Sequence, residues 1–151
     1  MTNSSDLAVF RAPVAGFLAW LVPGLGHFFL GHRGRGLVFL VTITATFWSG
    51  VAIGGVRATV DPQDRALWFV AQLCTGANTA VAFAMSRTLT ATSQPGPKEP
   101  SKYVPPYWVS AEVGVHYTGV AGLLNLLVVL DAIALAELAG ASARKQRLRA
   151  T

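Results

Sequence analysis

Apolar residues fall into four runs along the chain, parted by short polar stretches or by stretches rich in glycine and proline. The first runs from Pro13 to Leu30 (PVAGFLAWLVPGLGHFFL) and the second from Leu37 to Val56 (LVFLVTITATFWSGVAIGGV). The third runs from Leu67 to Met85 (LWFVAQLCTGANTAVAFAM) and the fourth from Thr118 to Leu138 (TGVAGLLNLLVVLDAIALAEL). Each is close to the roughly 20 residues that carry a helix across a hydrocarbon core of about 30 Å. In lipid the backbone must satisfy its own hydrogen bonds. A helix is therefore expected even for the second run, whose Val and Thr content would favour a strand in water. The pattern predicts an all-α integral membrane protein with about four transmembrane helices arranged as two helical hairpins. Residues 1–12 read as an N-terminal tail and 13–138 as the transmembrane domain. A Pro-rich loop is expected at about 87–117, and 139–151 reads as a basic C-terminal tail.

The first run is interrupted. Pro23 has no backbone donor and is expected to kink the helix. Gly24 and Gly26 allow a neighbouring backbone to come close. Gly31 is placed as a C-cap. The following HRGRG is expected to reverse the chain, with Gly34 and Gly36 free to take positive φ and Arg33 and Arg35 hydrated at the interface. A rival reading makes this segment a signal peptide, with Arg11, a short apolar core and cleavage at Gly24-Leu25-Gly26. Alanine is preferred at such sites, and Phe28-Phe29-Leu30 continues the apolar run past the cut, so the span is preferred.

Composition agrees with lipid. The chain is 52% hydrophobic and only 13% charged, against a usual charged share of about 25%. The net charge of +5 does not point to nucleic acid, because the basic residues sit at the ends of apolar runs. The single cysteine, Cys74, cannot form an intrachain disulfide and reads as a small packing residue. The tail carries Arg144, Lys145, Arg147 and Arg149 without an acid, which places both termini in the cytoplasm by the positive-inside rule. Arg33 and Arg35, on the opposite side in a four-span chain, pull the other way.

GHFFLG followed by a glycine-containing basic turn and a second span resembles the small two-transmembrane-helix domain, through Gly26, His27, Phe28, Phe29 and Gly31. The basic residue usual after the histidine is missing, and Phe29 stands where that family often has tyrosine. The wider pattern, WLVPGLGHFFLGHRGRG early and YTGVAGLLNLLVVLDA late, resembles a family of uncharacterised bacterial multi-pass membrane proteins, a domain of unknown function. The resemblance implies a membrane location and no particular activity.

The residue most out of place is Asp131, inside the fourth run. An acid there costs about 2.5–3.5 kcal/mol on insertion scales, so it is expected to face protein. It reads as a packing acid, with an ion or proton site, or a pair with Arg57, as the alternative. Asn125, Gln72 and Asn78 read as interhelical glue. Gly50 with Gly54, and Gln72, Gly76, Ala80 and Ala84, read as small-residue faces for helix contact. His27, His32, His116 and Glu112 are the candidates for a metal site, but no metal-binding spacing joins them. His27 is instead expected to bond a carbonyl freed by Pro23. No catalytic motif and no cofactor fingerprint is present, so the chain is read as a non-enzyme without cofactors. Its expected role is a small inner-membrane protein, structural or accessory, packing with itself as a homo-oligomer or with a larger membrane-protein partner in the lipid bilayer. The alternative is a small oligomeric transporter or channel that uses Asp131.

Overall fold

A computed structural model describes residues 4–59, 66–92 and 109–149. Among them every regular element is a helix: α1 (Ser4–Leu21), α2 (Leu25–Phe29), α3 (Arg33–Gly54), α4 (Val56–Thr59), α5 (Ala66–Leu73), α6 (Ala77–Thr92) and α7 (Val109–Arg149). The chain divides into two compact units, Met1–Ile43 with Leu124–Thr151, and Thr44–Leu123. The long helices α3 and α7 contribute to both. α3 has 22 residues and α7 has 41, lengths of about 33 Å and 62 Å at 1.5 Å per residue. These two are long and apolar enough to cross a membrane, whereas Phe10–Leu21 is a shorter apolar helix. The second and fourth expected spans are therefore present as long helices, and the first and third are broken.

In the first unit the break is a reversal. Leu25 N–H donates to the Val22 carbonyl at 3.0 Å, and Gly24 has φ 82° and ψ −12°. Val22-Pro23-Gly24-Leu25 is thus a type II turn, with proline and glycine in the positions that turn favours. A Cβ on Gly26 would lie 2.3 Å from the Ala15 carbonyl oxygen and 2.9 Å from Ala19 Cβ. A continuous helix would hold residues 15 and 26 about 16 Å apart, so α2 lies alongside α1. Pro23 turns the chain back instead of kinking a single span. Gly31, with φ 87°, ends α2 as expected. Gly34 and Gly36 do not form the next turn. They lie inside α3, because Gly31 already supplies the left-handed residue that the connection needs and α3 starts at Arg33. Gly36 meets the Phe28 ring and the Gly24 backbone. Ala15, Ala19, Ala132 and Ala136 form the buried core between α1 and α7.

In the second unit the third run reverses at Cys74-Thr75-Gly76. Gly76 has φ 50°. The Phe69 and Phe83 rings are 6.2 Å apart, where a straight helix would separate their backbones by about 21 Å. Gly76 is therefore the turn residue, not part of a helix-contact face, and Ala80 and Ala84 are exposed. The Gly50 and Gly54 pair does mediate contact. A Cβ on Gly114 would lie 2.6 Å from the Gly50 carbonyl oxygen and 2.7 Å from Gly54 Cα. Gly50 also meets Thr118, while Gly54 meets Ser110, so α3 and α7 run antiparallel there. Gly119 lies against the Trp68 ring, and Gly122 against the Ala71 backbone. Within the bounds expected for the Pro-rich loop, α6 reaches Thr92 and α7 starts at Val109. Residues 93–108, with Tyr103, Tyr107 and Trp108, lie outside the described residues.

Candidate functional site

The type II turn and the five residues of α2 set His27 between α1, α3 and α7 in the first unit. Its side chain is fully buried, and its Nε2 lies 2.8 Å from Asp131 Oδ2. The Phe39 ring meets the imidazole edge to face at 4.9 Å. Nδ1 of His27 has no hydrogen-bond partner. A buried N–H without an acceptor costs more than a bare ring nitrogen. The geometry therefore favours hydrogen on Nε2, donated to the Asp131 carboxylate. Asp131 itself is 45% exposed. It stands in the wall of a groove of about 360 Å³, whose other lining includes Val38, Phe39, Ile43, Leu127 and Val128.

Asn125 performs the task expected of His27. Pro23 cannot donate to Ala19, the carbonyl one helical turn before it. Asn125 Nδ2 donates to that carbonyl at 3.2 Å, from the fully buried face of α7. His27 meets the acid instead. The expected pair of Asp131 with Arg57 concerns a side chain outside those described.

The second unit holds a separate polar cluster. Gln72 Nε2 donates to the Thr59 carbonyl and to Thr118 Oγ1, both at 2.8 Å. The Gln72 carbonyl, near the end of α5, accepts from the Thr75 backbone N–H at 2.9 Å and also from the Thr75 and Thr79 hydroxyls. Gln72 Oε1 is buried without a partner. Trp48 Nε1 donates to Asn78 Oδ1 at 3.3 Å. The amides thus join helices, as their apolar surroundings require.

The remaining candidates are not drawn into one site. His32, Arg33 and Arg35 are exposed. His116 donates from Nδ1 to the Glu112 carbonyl of its own helix at 2.7 Å, and its ring lies tilted by 54° against that of Trp68, centroids 4.6 Å apart. Among the described residues no group of three or more His, Cys, Asp or Glu side chains could hold a metal ion. Pro23, Gly24, Gly26 and Gly31 shape the turn that delivers His27, while Asn125 and Asp131 secure it. The His27–Asp131 pair was not foreseen, since 104 residues separate its members. The signal lies in their placement: His27 is the one titratable residue of the first run and Asp131 the acid nearer the middle of the fourth, Glu137 standing at its end, and in lipid such groups pair with one another.

These features define an all-helical chain with two helices long and apolar enough to span a membrane and a polar cluster in each unit. The chain belongs to the Family of unknown function (DUF6677), which matches residues 14–146. No curated protein and no solved structure matches it.

Proposed function

We propose that the chain is a multi-pass inner-membrane protein with a structural or accessory role, exercised through helix packing with itself or with a larger membrane partner, and that it is not an enzyme. Only 28% of the apolar window of α3 and 39% of that of α7 is buried. The core helix of a water-soluble protein would be mostly covered. Leu37, Val38 and Val41 on α3, with Leu123, Leu127 and Leu130 on α7, are exposed, as lipid-facing residues would be. In this reading α3 and α7 cross the bilayer. The α1–α2 and α5–α6 hairpins re-enter on the side they came from. Such backbone is tolerated at membrane depth when protein covers it.

Two crossings keep both termini together. Arg11, Arg33, Arg35 and the four basic residues of the tail then share one side, seven against the five between α3 and α7 (Arg57, Arg65, Arg87, Lys98 and Lys102), which favours the cytoplasm for the termini by the positive-inside rule. The observation that carries the structural role is the use of polar groups to join helices. Asn125 takes the carbonyl that Pro23 leaves free, Thr75 and Thr79 take that of Gln72, and His27 takes Asp131.

A second reading, a small oligomeric transporter or channel, is favoured by the half-exposed Asp131 beside a buried imidazole with a bare Nδ1. One experiment separates the two. Asp131→Asn keeps an acceptor for His27 but loses the charge, and Asp131→Leu loses both. The structural role predicts normal assembly for Asp131→Asn, defective assembly for Asp131→Leu, and no proton or ion flux in liposomes for any form. A wild-type flux that disappears in a correctly assembled Asp131→Asn protein establishes transport instead.

A further inference from the structure

We propose that the groove between α3 and α7 in the first unit is a binding site for a single-chain amphiphile with a protonated amine head, held by the carboxylate of Asp131. Its volume of about 360 Å³ falls within the roughly 300–1,000 Å³ of small-molecule sites. Its composition also fits that class, an apolar wall with few polar groups. Among the described residues, Thr42 and Asp131 are the polar members of the lining.

Asp131 joins helices through His27 but is not used up by that contact. Oδ2 is fixed by His27, yet the side chain is 45% exposed and opens into the groove. His27 is a positioning residue: fully buried and braced by Phe39, it holds the carboxylate in one orientation. An acid in apolar walls is satisfied by a cation and repels a carboxylate or phosphate. The walls select an apolar chain, and the volume suits one such chain.

The depth of the groove agrees with this ligand. Its α3 wall begins at Val38, about 7.5 Å along the helix from Arg33. An ammonium entering from the arginine-bearing interface reaches Asp131 within about one and a half turns. Its chain then follows Phe39, Ile43, Leu127 and Val128 inward.

The test uses the full chain in phosphatidylcholine nanodiscs, with dodecylammonium as probe and dodecanol and dodecanoate as matched controls. Wild-type protein should bind dodecylammonium saturably, one per chain, and about tenfold or more tighter than either control. Asp131→Asn, which retains the contact with His27, should lose about tenfold or more. Leu127→Trp, at a position 62% exposed and so able to accept bulk, should fill the groove and lose binding likewise. Equal binding of the three probes, or wild-type affinity in both variants, overturns the proposal. So does a wild-type dimer that Asp131→Asn dissociates, because the occupant is then a second copy of the chain.

Discussion

Replacing Gly26 by alanine adds one methyl group at the point where α1, α2 and α7 meet. That Cβ would fall 2.3 Å from the Ala15 carbonyl oxygen, 2.9 Å from Ala19 Cβ and 3.1 Å from Ala132 Cβ. None of these atoms can rotate away, since one is backbone and two are attached directly to it. Relief requires α2 to move from α1 by about 1 Å, towards an ordinary contact of about 3.5 Å. A gap of that size forfeits roughly a quarter to a half of the dispersion attraction across the alanine core, and overpacking of this kind costs about 1–3 kcal/mol. The matched control is Gly34→Ala. Gly34 is also helical, but its Cβ would have no neighbour within 4 Å, so alanine there should stabilise by about 0.5–1 kcal/mol. Reversible unfolding in mixed micelles should place the two variants about 2 kcal/mol apart, on opposite sides of wild type. Equal stability of Gly26→Ala and Gly34→Ala would refute the close approach of α2 to α1, and the reversal at Pro23 with it.

Asn125→Leu should cost about 1–2 kcal/mol in the same assay, combining a lost interhelical bond with a buried Ala19 carbonyl left short of a donor; an unchanged midpoint contradicts the capping role. Gly122→Ala places a methyl group 1.9 Å from the Ala71 carbonyl oxygen and should destabilise by about 1–3 kcal/mol. Gly140→Ala, with open space around its Cβ, should not. A Gly122→Ala protein as stable as Gly140→Ala argues against α5 lying on α7.

The sequence reveals helices more readily than it reveals reversals. Long apolar runs announce α3 and α7 because length and hydropathy alone decide a span. The same measure misleads over Pro13–Leu30 and Leu67–Met85, where apolar character continues through a turn. Pro23-Gly24 is a strong type II turn signal in any context, but inside an apolar run it resembles a kink. At Gly76 there is no proline, and the turn is held by backbone bonds to the Ala71, Gln72 and Leu73 carbonyls and by the Thr75 and Thr79 hydroxyls on the Gln72 carbonyl, contacts that hydropathy does not register. Gly50 and Gly54 were legible because their spacing alone puts them on one face; their partner Gly114 was not, since nothing in the sequence fixes the register of α3 against α7. Asp131 stood out by cost, and Asn125 by its place in an apolar helix. Which partner each takes depends on where α2 returns, and so could not be read before the turn at Pro23 was known.

The central claim is that α3 and α7 alone cross the bilayer, with α1–α2 returning to its own side. It is tested most directly by the side on which the connection before α3 is found. Cys74→Ser removes the only native thiol, and Gly34→Cys places a new one at an exposed position with no neighbour for its Cβ within 4 Å. Thr151→Cys, made separately in the same background, reports the C-terminus. Both are probed with a membrane-impermeant thiol reagent in intact cells and in inverted membrane vesicles. Two crossings predict that Gly34→Cys and Thr151→Cys label from the same side, reacting in inverted vesicles and not in intact cells. Labelling of Gly34→Cys from the side opposite Thr151→Cys would mean that the first segment crosses, and would contradict the account.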